Sequence, residues 1–305
     1  MKSRSWMLLS AVACSLFATS AHAQPPGYQA RTDRRYPQVV EFLKRLESKH
    51  PGRVSRFVLG RSDSGADIEG LRIGSGPGRG MIVATHHGNE YGSSEVALAA
   101  AADLSEQPIS TMTVYVVPVL NVGGYNSRSR EEKASGRSHD PNRDYPGPCG
   151  SDSEFALRST RALAEFVARE SIVSVATLHT HYPAVVYPWG FSTRDLETAH
   201  QAEFVKLVEA SVVESRYETG NSSTVIYPAN GTFEDFAFWK HGIWSLLFEL
   251  GFSHSPRVAE IEEMVRVNFP GLRSLIETAP KRRASRHAFT GKCDDSLRIL
   301  DRRDE

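Results

Sequence analysis

Several features that commonly sort a chain into a class are scarce or missing in these 305 residues. Cysteine occurs only three times, too few for a disulfide-built scaffold. Neither sign of charge dominates: Lys+Arg and Asp+Glu both total 36, so the sequence lacks the basic footprint of a nucleic-acid or membrane-surface binder. Beyond the first two dozen residues no apolar run approaches the ~20 residues of a membrane span. There is no internal repeat and no Gly-x-Ser-x-Gly nucleophile elbow, which argues against the common serine hydrolases. What remains is an ordinary globular balance, 40% apolar and 24% charged.

The first 23 residues read as an export signal. Lys2 and Arg4 form a basic start, residues 6–17 an apolar stretch, and Ala21-His22-Ala23 a small-residue cleavage site before Gln24. Val12-Ala13-Cys14 is only a loose lipoprotein signal, because Ala11 fits that pattern poorly. The expectation is an exported protein, periplasmic or secreted. Cys14 would leave with the signal, so Cys149 and Cys293 remain. A disulfide and two free thiols both stay open.

The rest alternates between helical and strand patterns. Val39, Val40, Leu43 and Leu46 have helical spacing, stopped by Pro51-Gly52. Runs 54–59 and 68–73 flank the turn Ser62-Asp63-Ser64-Gly65 and predict a hairpin. Strands are expected at 81–84, 113–120, 172–178, 184–187, 224–227 and 243–250. Helices are expected at 94–104, 155–169, 196–217, 233–240 and 258–278, the last interrupted near Pro270-Gly271. Residues 121–150 form a long segment with no apolar period, a length that is uncommon unless functional. The expectation is one α/β domain over 24–280 with a mixed sheet of about eight strands and helices on both faces. A charged surface tail would follow over 281–305.

The most informative stretch is 81–95, MIVATHHGNEYGSSE. A buried strand ends at His86 and His87, and Glu90 follows before an alanine-rich helix. Ligands collect at such strand ends in open α/β sheets. His179 likewise ends an apolar strand. Two imidazoles and one carboxylate make three protein ligands and leave a fourth position open, as catalytic zinc requires. A second His-x-x-Glu, His200 and Glu203, lies within a helical pattern and reads as a solvated pair rather than a ligand pair.

The segments HHGNE (86–90), NVGGY (121–125), DPNRDY (140–145), LHTHYPAVVYPWG (178–190), IYPANGTFEDF (226–236) and FELG (248–251) together resemble the zinc metallocarboxypeptidases of the carboxypeptidase A/B type. Their order matches, and Tyr227 precedes Glu249 by 22 residues, as the substrate-closing tyrosine precedes the catalytic glutamate in that family.

The resemblance implies one Zn2+ per chain held by His87, Glu90 and His179, with Glu249 as general base and then acid. It implies that Asn142 and Arg143 grip the terminal carboxylate of a peptide substrate, and that Tyr227 closes over it. A further arginine would polarise the scissile carbonyl. Arg128, Arg130 and Arg137 compete, and Arg130, nine residues after Asn121, is preferred. Glu234, seven residues after Tyr227, falls where the family places the floor of its side-chain pocket. A carboxylate there would favour Lys, Arg or a diaminopimelate-like terminal residue. A helix-start carboxylate facing solvent is the structural alternative. Two departures stand out: NVGG replaces the commoner Asn-Pro-Asp-Gly, and His181 stands where a tyrosine is usual. Rival readings are a cell-wall (murein) peptide amidase, an aspartoacylase-type deacylase, and a non-catalytic peptide-binding homologue. The last predicts loss of a ligand or of the base, and none is lost. No nucleic-acid partner and no stable membrane insertion are expected.

Overall fold

The computed structural model describes residues 24–151 and 153–293. The expected export signal at 1–23 and the end of the tail at 294–305 lie outside the described residues. Among the described residues no helix is long and apolar enough to cross a membrane.

The chain opens with α1 (Tyr36–Lys49), then β1 (Val54–Arg61) and β2 (Asp67–Ile73), which form the expected hairpin. Next come β3 (Gly78–Ala84), α2 (Tyr91–Glu106) and β4 (Met112–Val117). The long 121–150 segment contains a short helix, α3 (Val122–Ser127), and a two-stranded ribbon, β5 (Glu132–Ala134) with β6 (Arg137–His139). Then follow α4 (Arg158–Arg169), β7 (Ser174–His179), β8 (Ala184–Tyr187), α5 (Gln201–Ser211), β9 (Glu218–Asn221) and α6 (Ser222–Val225). Helix α7 (Phe233–His241), β10 (Trp244–Glu249) and α8 (Val258–Thr278) complete the set.

Eight strands form one mixed sheet in the order β1-β2-β4-β3-β7-β10-β8-β9. The middle four, β4-β3-β7-β10, run parallel, and β2 and β8 flank them antiparallel. Every residue of β4 and β7 is buried, so helices cover both faces, as a parallel sheet requires. The chain passes from β3 to β4 on one side and later places β7 on the other. That puts a topological switch point between β3 and β7, beside β10.

Three expectations change. The β-branched run at 224–227 is not a strand: α6 forms there, because the Asn221 side chain accepts the Ser223 N–H and caps it. The helix expected over 196–217 shrinks to Gln201–Ser211 and is followed by the short edge strand β9. Helix α8 runs through Pro270 unbroken. Gly271 explains why this position is glycine: a Cβ there would lie 1.9 Å from the Ser211 carbonyl oxygen, so α5 and α8 could not approach as they do.

Residues 281–293 are not a free surface tail. The Ala284 N–H donates to Gly242, Trp244 Nε1 donates to the Arg282 carbonyl, and the Phe289 ring packs against Trp189 and Phe191. Cys149 and Cys293 are joined by a disulfide.

Candidate metal centre and active site

Three neighbouring strand ends build the site. His86 and His87 follow β3, His179 is the last residue of β7, and Glu249 is the last of β10, in register with His179. Thr85 turns the chain sharply out of β3 with φ +62°, an unusual value for a β-branched residue, and its Oγ1 is held by the Pro118 carbonyl. The HHGNE turn then packs on α3. A Cβ at Gly88 would lie 2.0 Å from the Gly124 carbonyl carbon, so backbone meets backbone there. The NVGG variant keeps its glycine at the position that contact uses.

The turn brings His87 Nδ1 to 2.8 Å from Glu90 Oε1, and His179 Nδ1 to 3.1 Å from Glu90 Oε2. One donor atom from each of the three lies within 4.8 Å of the others, and all three side chains are buried. This is a set of two nitrogens and one oxygen able to hold a single metal ion. Its electrostatics fit a cation. Burial would raise the Glu90 carboxyl, but His87 and His179 outweigh it and hold it well below the usual range. Burial likewise disfavours a charged His87, yet Glu90 and Asp140 push that imidazole up to about 9. Positive charge is favoured at this point whether a proton or a metal supplies it.

Glu249 is partly exposed as a residue, but its Oε2 is shut off from solvent and has no partner among the described residues. Burial, followed by repulsion from Glu90, pushes its carboxyl up to about 7. Among the described residues no salt bridge reaches Glu249, so none accounts for a glutamate on this apolar strand.

A cavity opens beside the cluster. It is lined by His87, His179, Glu249, Asn142, Arg143 and Tyr227, with Leu247, Ala229 and Thr232 among its other walls. Asn142 is buried and its Oδ1 accepts the Phe233 N–H at 2.9 Å, which leaves its NH2 free to donate. Arg143 donates to the Tyr227 hydroxyl at 3.0 Å, and Tyr227 is 52% exposed. Of the three competing arginines, Arg130 reaches the cluster, with one nitrogen 3.2 Å from His87 Nδ1. Arg128 instead stacks over Tyr91 and Tyr125, and Arg137 sits exposed on β6.

Glu234 is buried, not solvent-facing, and is not among the residues lining the cavity. Its Oε1 accepts from Thr177 Oγ1, while Oε2 is enclosed without a partner among the described residues. Thr177 is the register partner of Leu247, a cavity wall. The second His-x-x-Glu lies elsewhere: His200 precedes the first turn of α5 with its ring against Trp244, at the other end of β10, and Glu203 is exposed. His200 is thus packed rather than solvated, as its 15% side-chain exposure shows.

A residue that the sequence reading left without a role is Asp140. Its Oδ1 lies 3.0 Å from His87 Nε2 and also accepts the Asn142 N–H at 2.8 Å. A carboxylate two residues before the Asn-Arg pair was visible in the sequence, and ligating imidazoles commonly lean on such a group. Nothing in the spacing said which imidazole it would meet.

Comparison with known proteins decides the family. A zinc carboxypeptidase family model matches residues 39–271. The chain belongs to the zinc carboxypeptidase family. Among its relatives, human carboxypeptidase B is 24% identical over 270 residues, covering 73% of this chain. This chain spans 64% of that relative's length. A zinc carboxypeptidase of Simulium vittatum is 23% identical over 242 residues, covering 66% of this chain and 80% of the relative. The fold is shared with bovine thrombin-activatable fibrinolysis inhibitor, solved in complex with tick carboxypeptidase inhibitor: TM-score 0.73, 18% identity, 80% of this chain and 96% of that one. It is also shared with murein-tripeptide amidase from Escherichia coli O157, at TM-score 0.53 and 17% identity over 74% of this chain and 93% of the other. The donor set, the orphaned Glu249 oxygen and the favoured positive charge all fit the zinc that names the family.

Proposed function

We propose that this protein is an exported zinc carboxypeptidase that removes the last residue of peptides and prefers a basic or amine-bearing one. The observation that carries the reading is the convergence of His87, Glu90 and His179 beside Glu249, on a cavity also lined by Asn142, Arg143 and Tyr227. His87, Glu90 and His179 would hold the zinc. Bound there, zinc supplies a Lewis acid that acidifies water and polarises a carbonyl oxygen.

The remaining work falls to the chain itself. Glu249, with its carboxyl near 7, is suited to take a proton from the attacking water and hand it to the leaving amine close to neutral pH. The Arg143 guanidinium and the Asn142 NH2 hold the terminal carboxylate, a charge-assisted fork with one added donor. Tyr227, exposed and already bonded to Arg143, moves with that carboxylate. Arg130, with one nitrogen beside His87, is the arginine suited to stabilise developing negative charge. The preference for an amine rests on Glu234: an enclosed carboxylate oxygen with no partner among the described residues, bonded through its other oxygen to the strand residue beside Leu247.

Paired peptides that differ only in a free or amidated C-terminus test the activity. Cleavage of the free acid alone supports the roles of Asn142 and Arg143, and equal cleavage of both ends this reading and favours an amidase.

A further inference from the structure

We infer that the Cys149–Cys293 disulfide positions the loop that grips the substrate carboxylate, so that the docked C-terminal segment sets substrate affinity. The inference rests on the carboxypeptidase reading above. It starts from Gly231, which lies between the cavity walls Ala229 and Thr232 and adopts φ +73°. A Cβ on Gly231 would meet the Arg143 carbonyl oxygen at 2.4 Å and Ser151 Cβ at 2.9 Å. Both ends of the 143–151 loop therefore press on one glycine of the cavity rim, and the Tyr145 N–H also donates to its carbonyl.

The two ends are held differently. At the first, Asp140 and Asn142 are tied to His87 and Phe233, and Asp144 is buried among bonds from Ser153, Ala156, Leu157 and Thr160. The 147–151 end has no regular structure: Gly150 bonds back to Gly147, and Ser151 Oγ to the Ser153 carbonyl. Among the described residues, the bond from Cys149 to Cys293, 144 residues away, fastens it covalently to a distant part of the chain. Cys293 ends a segment that is itself anchored. Phe289 packs between Trp189 and Phe191, the Lys292 N–H donates to Asp195 Oδ2, and Arg283 donates to the Val167 and Ile172 carbonyls. The disulfide thus transmits the position of a fixed segment to Ser151, and through Gly231 to Arg143 and Thr232. None of the metal ligands and neither oxygen of Glu249 is on that route.

A Cys149→Ser/Cys293→Ser variant, and separately the folded wild type reduced with a phosphine, test the inference on a free-acid peptide. KM should rise about tenfold, within the ~10²-fold that a 1 Å misplacement can cost, while kcat stays within about twofold and zinc content is unchanged. An unchanged KM in the reduced wild type, with only the unfolding temperature lowered, overturns the inference, and so does a fall in kcat and bound zinc together. Failure of the carboxypeptidase reading would show instead in the untreated enzyme, as equal cleavage of free-acid and amidated peptides.

Discussion

Asp140 Oδ1 and Glu90 Oε1 hold opposite nitrogens of the same ring, His87 Nε2 at 3.0 Å and His87 Nδ1 at 2.8 Å. Oδ2 of Asp140 is taken by Arg130. The ring is therefore held in orientation, with Nδ1 directed at the cluster. Burial would raise the Asp140 carboxyl, but His87, Arg143 and Arg130 outweigh it and keep it ionised far below the usual range. Asp140→Ala should weaken zinc affinity roughly 10–100-fold, measured by competition with a chelator. Unaltered affinity would mean the ring is fixed by something else.

Glu249→Gln keeps the shape of the side chain and removes its proton chemistry. Zinc content should be unchanged, and turnover should fall by roughly 10²–10⁴-fold or more. In the wild type, activity should rise with pH as Glu249 ionises, because the base acts only when ionised and burial raises its carboxyl. A variant that retains the same pH limb would assign that limb to another group.

Selectivity at the terminal residue tests Glu234. The wild type should release Lys or Arg faster than Phe, and Glu234→Gln should cut that ratio about tenfold, the scale of losing one charge-assisted hydrogen bond of ~1.5–3 kcal/mol. Equal release of Lys and Phe by the wild type would leave Glu234 as a structural partner of Thr177.

Glu132, outside the cavity wall, predicts a pH-dependent stability. It is buried, accepts from Ser159 Oγ and the Asp63 N–H, and burial followed by the Asp63 charge pushes it up to about 7. The folded chain then binds a proton that the unfolded chain has lost above about pH 4.3. Stability from this group is full below that value and declines as pH rises towards 7, by about 4 kcal/mol in all at ~1.4 kcal/mol per unit. Denaturant unfolding of Glu132→Gln should lose this slope over pH 4–7. An identical slope in both proteins would contradict the assignment.

The fold and the gathering of His87, Glu90 and His179 were legible because the strands and the residues at their ends are written locally. Apolar runs ending in histidine marked β3 and β7, and the order of the motifs fixed which strand ends would meet. The rest depended on contacts that spacing does not encode. The run Thr224-Val225-Ile226 has strand composition, yet a cap from Asn221 turns it into α6. Pro270 reads as a helix break, but tertiary packing of α8 on α5 holds the helix through it. Asp140, and the pairing of Cys149 with Cys293, join segments 53 and 144 residues apart. Only the folded chain selects such partners.

The central claim is that one zinc ion sits among His87, Glu90 and His179. Anomalous diffraction recorded on either side of the zinc absorption edge, on crystals of catalytically active protein, tests it most directly. One peak per chain is predicted, within bonding distance of His87 Nδ1, His179 Nδ1 and the Glu90 carboxylate, with Glu249 outside direct coordination. A peak bound elsewhere, or active protein with none at this cluster, would contradict the account.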